Sequence, residues 1–429
     1  TPYKDILKRI AKEIGPTGER FLDNAYKTDF SKAKQLHGYP YVYSSDIDVR
    51  AWYRIKWLET LDNDRIKKLS KGFLDIEADT INHNGFPDPE TCPVNAVTVV
   101  DGEHMKSYTF LLVDGRTDEE QVKKAMNETD TIIEECHDLF DNDFGDFVYK
   151  FHFYEDERQL LKDVFRLINT LKLDVIGIWN MGFDIPYLMD RMTALGMDVM
   201  DIIPHPDFPI KECYYKKDTR NFAIKNKTDH FACTSYTIFV DMMILYAVTR
   251  KAQQELRSNS LSAISKRELK NDKFAYEEGN IKTLPYVNFK QFMIYNIKDT
   301  LLLFAIEKKT RDIDKLYKSS YKNATPYSDV FKGTVLLRYV QYMSFLQQGL
   351  IPSNNINTLH LSDEEIYKLE SEYDIDDVED EVEEDDDDKK KKVGFEGALV
   401  ADPTLNEAVG LPLFGRLTNY IFRNTIDMD

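Results

Sequence analysis

The stretch Gly72-Phe73-Leu74-Asp75-Ile76-Glu77-Ala78 decides the fold, because it places two carboxylates inside an apolar run. The run predicts a β-strand, in which successive side chains point to opposite faces. Asp75 and Glu77 are two residues apart and therefore share one face. A pair of this kind most often belongs to a solvated surface, since charged residues are rarely buried. Other segments of the chain must decide whether the pair has a chemical role.

The strand opens an α/β arrangement with a mixed sheet flanked by helices. A turn at residues 82–85 and apolar runs at 97–102 and 107–113 predict two further strands in an antiparallel start to the sheet. The almost uninterrupted apolar run 173–180 predicts a central strand covered on both faces. Helical spacing or composition predicts helices at 4–13, 50–69, 118–140, 155–171, 185–195, 289–312 and 329–348, with a short strand at 147–153.

Two later segments also carry carboxylates in unexpected places. Asp184 follows the apolar run 173–180 at the start of a helix, where an aspartate can equally well be a helix N-cap. Tyr295 and Asp299 are one helical turn apart and share a helical face, an arrangement that is most often ordinary surface pairing. Taken singly, neither segment indicates a function.

The order of the three segments is more informative. Asp-Ile-Glu in an apolar strand, then Asn180-x-x-Phe183-Asp184, then Tyr295-x-x-x-Asp299 on a late helix resemble the three exonuclease motifs of family B DNA polymerases of the T-even phage type, which are DEDD nucleases with an RNase H-like fold. The resemblance continues at Gly85-Phe86-Pro87-Asp88-Pro89, at Val330-Phe331, at Gly349-Leu350-Ile351-Pro352 and at Glu396-Gly397-Ala398-Leu399-Val400-Ala401-Asp402-Pro403, the last being similar to the family's entry into the palm.

The resemblance implies a site for two divalent ions, Mg²⁺ or Mn²⁺, which hydrolyse a phosphodiester by activating water and neutralising the leaving oxygen. It implies that Asp75 bridges both ions and that Glu77 and Asp299 complete the first. Asp184 would hold the second ion, directly or through water. Carboxylate oxygens are the ligands that such hard cations prefer.

Further contacts with DNA also follow from the resemblance. Tyr295 would orient the attacking water together with Glu77. Phe86 and Phe183 are candidates for stacking on the last bases of a single strand, or alternatively for core packing. The resemblance also suggests that Asn180 contacts a sugar or phosphate and that Lys298 touches the scissile phosphate, although a helical lysine is more often solvated.

The predicted domain organisation has five parts. They are a smaller amino-terminal α+β domain at 1–70, the RNase H-like exonuclease domain at 71–327, a helical segment returning to the amino-terminal domain at 328–371, a disordered acidic and lysine-rich insertion at 372–392 and the start of the polymerase palm at 393–429. Strand patterns around 222–233 correspond in place to the family's strand-separating hairpin; a plain sheet extension is the alternative.

Composition leaves the partner open. The formal net charge is −19, which seems unsuited to nucleic acid, but twelve acidic residues lie together between Asp374 and Asp388 and are followed by four lysines. This block is either a solvated linker or a protein-docking tail. The four cysteines lack the paired spacing of a zinc site. No apolar run suggests a membrane span or a secretion signal, so we expect a cytoplasmic protein, in the host cell if the source is viral.

The sequence therefore predicts the proofreading 3′–5′ exonuclease portion of a replicative polymerase. Expected partners are the single-stranded 3′ end, primer–template DNA, the remaining palm, fingers and thumb, and a sliding clamp through a part not present in this chain. Asp429 resembles the first metal-binding aspartate of the palm, so polymerase activity is not expected from this chain alone, whether it is truncated or naturally split. The alternatives are a catalytically idle scaffold and a stand-alone DEDD nuclease acting on RNA.

Overall fold

The computed structural model describes residues 49–59, 68–113, 115–140, 147–251, 258–271, 281–330, 332–348 and 350. The predicted helix at 4–13, the acidic insertion and the palm entry lie outside the described residues. No helix in these ranges is both long and apolar enough to cross a membrane.

The centre of the fold is a six-stranded mixed sheet, as predicted. Its strands are β1 (Lys71–Ala78), β2 (Val94–Asp101), β3 (Lys106–Leu112), β4 (Val148–Tyr154), β5 (Val175–Ile178) and β8 (Ile238–Asp241), in the order β4-β3-β2-β1-β5-β8. The pairs β1–β2 and β2–β3 are antiparallel, whereas β3–β4, β1–β5 and β5–β8 are parallel. Every residue of β2 is buried, which is expected of a strand covered on both faces.

The helices, again in chain order, cover the two faces of this sheet and extend it at its ends. They are α1 (Val49–Glu59), α2 (Glu119–Asn127), α3 (Thr129–Asp138), α4 (Glu157–Leu171), α5 (Met181–Ala194), α6 (Val199–Ile202), α7 (Met242–Thr249), α8 (Leu261–Leu269), α9 (Leu284–Val287), α10 (Phe289–Thr310), α11 (Asp312–Lys322) and α12 (Gly333–Gln347).

Alternation along β1 assigns its side chains to two cores. Leu74 and Ile76 pack into one hydrophobic cluster with residues of α4 and α5, and Phe73 packs into the other with residues of α10. Because side chains alternate along a strand, Asp75 and Glu77 lie on the same face as Phe73. Those two carboxylates therefore face the side of the sheet that α10 covers.

Two helices begin and end where local chemistry satisfies their free backbone groups. Asp156 caps α4 by accepting from Arg158 N, and Lys172 ends it in the left-handed conformation at φ 47°. Asn288 caps α10 by accepting from Gln291 N, and Arg311 ends it at φ 55°. Side-chain caps of this kind satisfy amides that have no intrahelical partner.

The structure corrects several predicted elements. The helix predicted at 118–140 is two helices, α2 and α3, separated at Glu128. The strand predicted at 173–180 is only Val175–Ile178, because the chain enters α5 at Met181. Strand β8 and helices α7, α8 and α11 were not predicted.

The hairpin predicted at 222–233 is displaced in the structure. The two paired strands are β6 (Cys213–Lys216) and β7 (His230–Cys233), and residues 222–224 lead into a short 3₁₀ turn instead. The reason is Asp218, whose carboxylate accepts hydrogen bonds from the backbone amides of Arg220, Asn221 and Thr228. A loop folded around one carboxylate has no amides left at these positions for strand pairing.

The domain boundaries remain predictions. One contact bears on them: Ile55 of α1 packs with Tyr339 and Tyr342 of α12 and with Ala324 in a separate small hydrophobic cluster. A segment at 328–371 that returns to the amino-terminal region requires a contact of this kind.

Candidate active site

Three carboxylates meet where β1 lies under α10. One oxygen each of Asp75, Glu77 and Asp299 lies within 4.8 Å of the others. Asp75 and Glu77 come from alternate positions of β1, and Asp299 comes from the middle of α10, where it is 1% exposed. The sequence placed these residues 222 or more positions apart on one predicted face each, and the fold brings them together.

Tyr295 lies beside this group on the preceding turn of α10. Burial raises the pKa of its phenol above the usual range, and the negative charges of Glu77, Asp299 and Asp75 raise it further. The phenol also donates a hydrogen bond to Asp299. Tyr295 is therefore a protonated donor at neutral pH, and it acts beside three acceptors.

The donor set fits a hard dication. Carboxylate oxygens are the preferred ligands of Mg²⁺ and Mn²⁺, and like charges this close repel each other unless a cation or proton is present. Among the described residues, the group of Asp75, Glu77 and Asp299 has the spacing that one ion requires. The fourth predicted ligand, Asp184, does not belong to that group.

Asp184 is buried in the first turn of α5, close to the predicted position but not in the alternative role of N-cap. The N-cap of α5 is Asn180, whose backbone oxygen accepts from the amide of Asp184 at 3.1 Å. The Asn180 side chain makes no capping hydrogen bond and is exposed. It is thus accessible to the sugar or phosphate that the sequence predicted for it.

Asp241, which the sequence analysis missed, fixes the start of α5. It ends β8 beside Ile178 and accepts hydrogen bonds from the amides of Met181 and Gly182, and at 2.8 Å from Ile244. One carboxylate thus caps α7 and holds the first turn of α5. Burial raises its pKa to about 7. The signal in the sequence was an aspartate that ends an apolar strand directly before a helical pattern.

Tyr215 of β6 closes this side of the site. Its hydroxyl donates to Asp229 at 3.3 Å, and a Cβ on Gly182 would lie 3.0 Å from it. Burial raises the pKa of Tyr215, and the charges of Asp241, Asp229 and Asp184 raise it further. Glycine at 182 therefore lets the tyrosine approach the turn that carries Asp184.

Two aromatic rings form a step at the edge of the site. Phe86 and Phe183 meet edge to face with ring centroids 4.9 Å apart, and Phe183 packs in turn on Tyr187. Phe86 is 72% exposed, so core packing does not explain it. Gly85 before it has φ +105°, which L side chains rarely adopt. Phe183 is half-buried and combines packing with contact to Phe86.

The loop that carries Phe86 is held at its base. Arg191 of α5 donates to both oxygens of Glu157, at 2.9 and 2.7 Å, and to the carbonyls of Pro89 and Glu90. Tyr187 donates to the carbonyl of Cys92 at 2.6 Å. A buried, fully hydrogen-bonded ion pair thus anchors a loop whose tip is exposed.

Lys298 lies on α10 directly before Asp299 and is only 9% exposed. The alternative of an ordinary solvated lysine therefore does not hold. A buried ammonium beside a group of carboxylates adds positive charge where a phosphate would need it. Its predicted contact with the scissile phosphate stays a prediction.

A row of buried polar residues supports Asp75 from below. Asn296 donates to Asp75 Oδ2 at 3.3 Å, and Thr98 Oγ1 donates to Asn296 Oδ1 at 2.5 Å. Thr98 Oγ1 also lies 3.1 Å from Thr109 Oγ1. The sequence analysis quoted Asn296 within its third motif but assigned it no role, and it overlooked Thr98. A lone threonine among valines in β2 was the signal available.

Comparison with known proteins agrees with this geometry. Residues 40–264, just over half of the chain, match the family described as DNA polymerase family B, exonuclease domain. The DNA-directed DNA polymerase of Enterobacteria phage T4 is 28% identical over 179 residues, which are 41% of this chain and 19% of that polymerase. The aligned part thus spans about a fifth of the length of this relative. The family match includes Asp75, Glu77 and Asp184 and ends before Tyr295.

Proposed function

We propose that this chain, which belongs to the family B DNA polymerases through its exonuclease domain, removes nucleotides from the 3′ ends of single-stranded or frayed DNA. It would serve as the proofreading part of a replicative polymerase. The observation that carries the proposal is the group of Asp75, Glu77 and Asp299 oxygens within 4.8 Å of one another. An idle scaffold would have no reason to keep three repelling carboxylates together in its interior.

Divalent ions, when bound, would supply an activated water and neutralise the charge that develops on the leaving 3′ oxygen. Asp75, Glu77 and Asp299 would hold one ion, and Asp75 would be shared with a second. Asp184 would hold that second ion, directly or through water. The burial of Asp184 and Asp299 supports this role, because buried carboxylates need a compensating charge.

Tyr295 would position the attacking water. Its phenol stays protonated because its pKa is raised, so it can donate a hydrogen bond while Glu77 accepts one. A water held between one donor and one acceptor has a fixed orientation. That orientation contributes by placing a lone pair toward the phosphorus atom of the terminal nucleotide.

The aromatic step would hold the 3′ end. Phe86 and Phe183 offer faces on which bases stack without regard to sequence, as a proofreading site requires. Asn180 would contact the sugar or phosphate, and Lys298 the scissile phosphate. The exposure of Phe86 and of Asn180 supports their access to DNA.

The displaced hairpin offers a structural basis for strand separation. Its loop, residues 217–229, is folded around Asp218 and projects Phe222, which is 94% exposed. Lys216, Lys217 and Arg220 make this loop locally basic within an acidic chain. An exposed aromatic ring with nearby cations is suited to a junction between single and double strands.

The activities of the whole polymerase are a further proposal, since the aligned part is 19% of the phage T4 enzyme. Primer–template DNA and the remaining palm, fingers and thumb are the partners that family membership supports. A sliding clamp would act through another part of such a polymerase. The domain limits given by the sequence are proposed to hold in this larger context.

An end-labelled single-stranded DNA tests the proposal. With a 5′ label and Mg²⁺, the wild type should give a ladder that shortens from the 3′ end, and a chelator should abolish it. The double variant Asp75→Ala/Glu77→Ala should lose cleavage, while Asp190→Ala, an exposed acid on the same helix as Asp184, should retain it. Undiminished cleavage by the double variant would sink the assignment. An RNA of the same sequence, if degraded in preference, would favour the stand-alone RNA nuclease, and DNA binding without cleavage would favour the scaffold.

A further inference from the structure

A continuous row of buried polar side chains crosses the sheet under the carboxylate group. It runs from Thr109 on β3 through Thr98 on β2 to Asn296 on α10 and ends at Asp75 on β1. Thr98 and Asn296 are both 0% exposed. Thr98 lies directly opposite Asp75 and opposite Thr109 in the strand register. Directly opposite residues share a face, so the row is part of the strand pairing itself.

The hydrogen bonds in this row have one possible direction. Thr98 has a single hydroxyl proton, which it donates to Asn296 Oδ1, so Thr109 must be the donor to Thr98. With its oxygen engaged by Thr98, the amide of Asn296 presents its NH₂ group to Asp75 Oδ2. A flipped amide would place oxygen against carboxylate and oxygen away from its donor. The row thus delivers a donor to Asp75.

Core packing alone does not account for these residue types. Strand β2 has valine at 94, 97, 99 and 100, and valine at 98 would have nearly the shape of threonine without a hydroxyl to satisfy. A buried hydroxyl is costly unless it is hydrogen-bonded. Its place opposite Asp75 therefore points to the carboxylate as the reason for the row.

We infer that Asn296, held by Thr98, is a positioning residue that fixes the Asp75 carboxylate for metal binding, an inference that rests on the proposed metal-dependent function. A donor on Oδ2 restricts rotation of the carboxylate. It also favours the ionised form of Asp75 beside Glu77 and Asp299. Asn296 itself touches neither DNA nor the reacting atoms in this role.

The direct test measures the dissociation constant of Mn²⁺ for the DNA-free protein, from the electron paramagnetic resonance signal of free Mn²⁺. Asn296→Leu should weaken binding by about 10- to 100-fold, the range found when residues that orient metal ligands are removed. Thr98→Val should weaken it less, because the amide remains but loses its fixed orientation. Thr109→Val is the matched control, with the same chemical change one strand further away, and should stay within about twofold of wild type.

A second readout separates positioning from stability. In single-stranded DNA cleavage, Thr98→Val should lower kcat and leave KM unchanged, since the DNA contacts are intact. A purely structural role would lower the melting temperature of Thr98→Val and Thr109→Val alike without changing Mn²⁺ affinity, and that result would overturn the inference.

The remaining outcomes are also decisive. Asn296→Leu that folds and binds Mn²⁺ as tightly as wild type overturns the inference. If Asn296→Leu does not melt cooperatively, the two threonine variants decide, and equal Mn²⁺ affinities count against the role. If wild type binds no Mn²⁺, the proposed function fails first and the positioning role falls with it.

Discussion

The carboxylate group and the Phe86 loop, both parts of one site, are built in opposite ways. The group stands on the sheet and α10, its Asp299 is 1% exposed, and contacts from three strands and a helix surround it. The loop is anchored at its base by Arg191 and Glu157, while Phe86 at its tip is 72% exposed. The difference indicates that groups acting on the bond need rigid supports, whereas groups that receive a variable substrate can lie on an anchored loop.

Removal of a carboxylate should have the largest effect. Glu77→Ala should lower kcat for single-stranded DNA by more than about 100-fold, because it removes a metal ligand and not merely a residue that supports one. KM should change little, since Glu77 does not hold the bases. Steady-state kinetics at saturating Mg²⁺ provide the measurement. A variant with normal kcat and raised KM would reverse the roles assigned to the two regions.

The base of the loop should matter for stability. Arg191→Met leaves Glu157 buried and the carbonyls of Pro89 and Glu90 without their donor, and we expect it to lower the free energy of unfolding by about 3 to 5 kcal/mol. Chemical denaturation measures this value. The control is Arg166→Met on α4, which breaks an exposed pair with Asp163 and should cost less than about 1 kcal/mol. Equal losses in the two variants would show that the loop base is not a structural anchor.

The tip of the loop should matter for DNA. Phe86→Ala should weaken capture of DNA by about 1 to 3 kcal/mol, the contribution of stacking one base, with the melting temperature unchanged because the ring is exposed. Cleavage of paired ends should suffer more than cleavage of single strands, since fraying must then be offset with fewer contacts. Met126→Ala on α2, another exposed apolar residue, serves as the control. Equal losses on both DNA substrates would return Phe86 to a packing role.

The smallest effect is expected at the displaced hairpin. Phe222→Ala should slow cleavage of paired ends by less than Phe86→Ala does and leave single-strand cleavage unchanged. A comparison of initial rates on the two substrates measures this. If both rates fall together, or neither changes, the loop is an extension of the small sheet and not a strand separator.

The sequence predicted the parts of the site that follow from periodicity. Alternation in β1 placed Asp75 and Glu77 on one face, and helical spacing placed Tyr295 with Asp299; the structure agrees with both. Strand partners were beyond its reach, because the register that puts Thr98 opposite Asp75 depends on the whole sheet.

Tertiary and local capping effects explain the other differences. Asp241 looked like the end of a strand, and only the fold brings it to the amides of Met181 and Gly182. Residues 222–224 looked like a strand, but Asp218 folds the loop around itself. In both cases a single carboxylate takes up backbone amides that the apolar pattern alone cannot assign.

The most direct test of the central claim is the change in melting temperature on adding Mn²⁺. An ion that binds only the folded carboxylate group adds about 2.7 kcal/mol at one hundred times its dissociation constant, so wild type should melt at a higher temperature. The shift should persist in Asp190→Ala and after deletion of the acidic residues 374–392, and it should shrink in Asp75→Ala. A full shift in Asp75→Ala, or a shift that disappears with the deletion, would contradict a metal site formed by Asp75, Glu77 and Asp299.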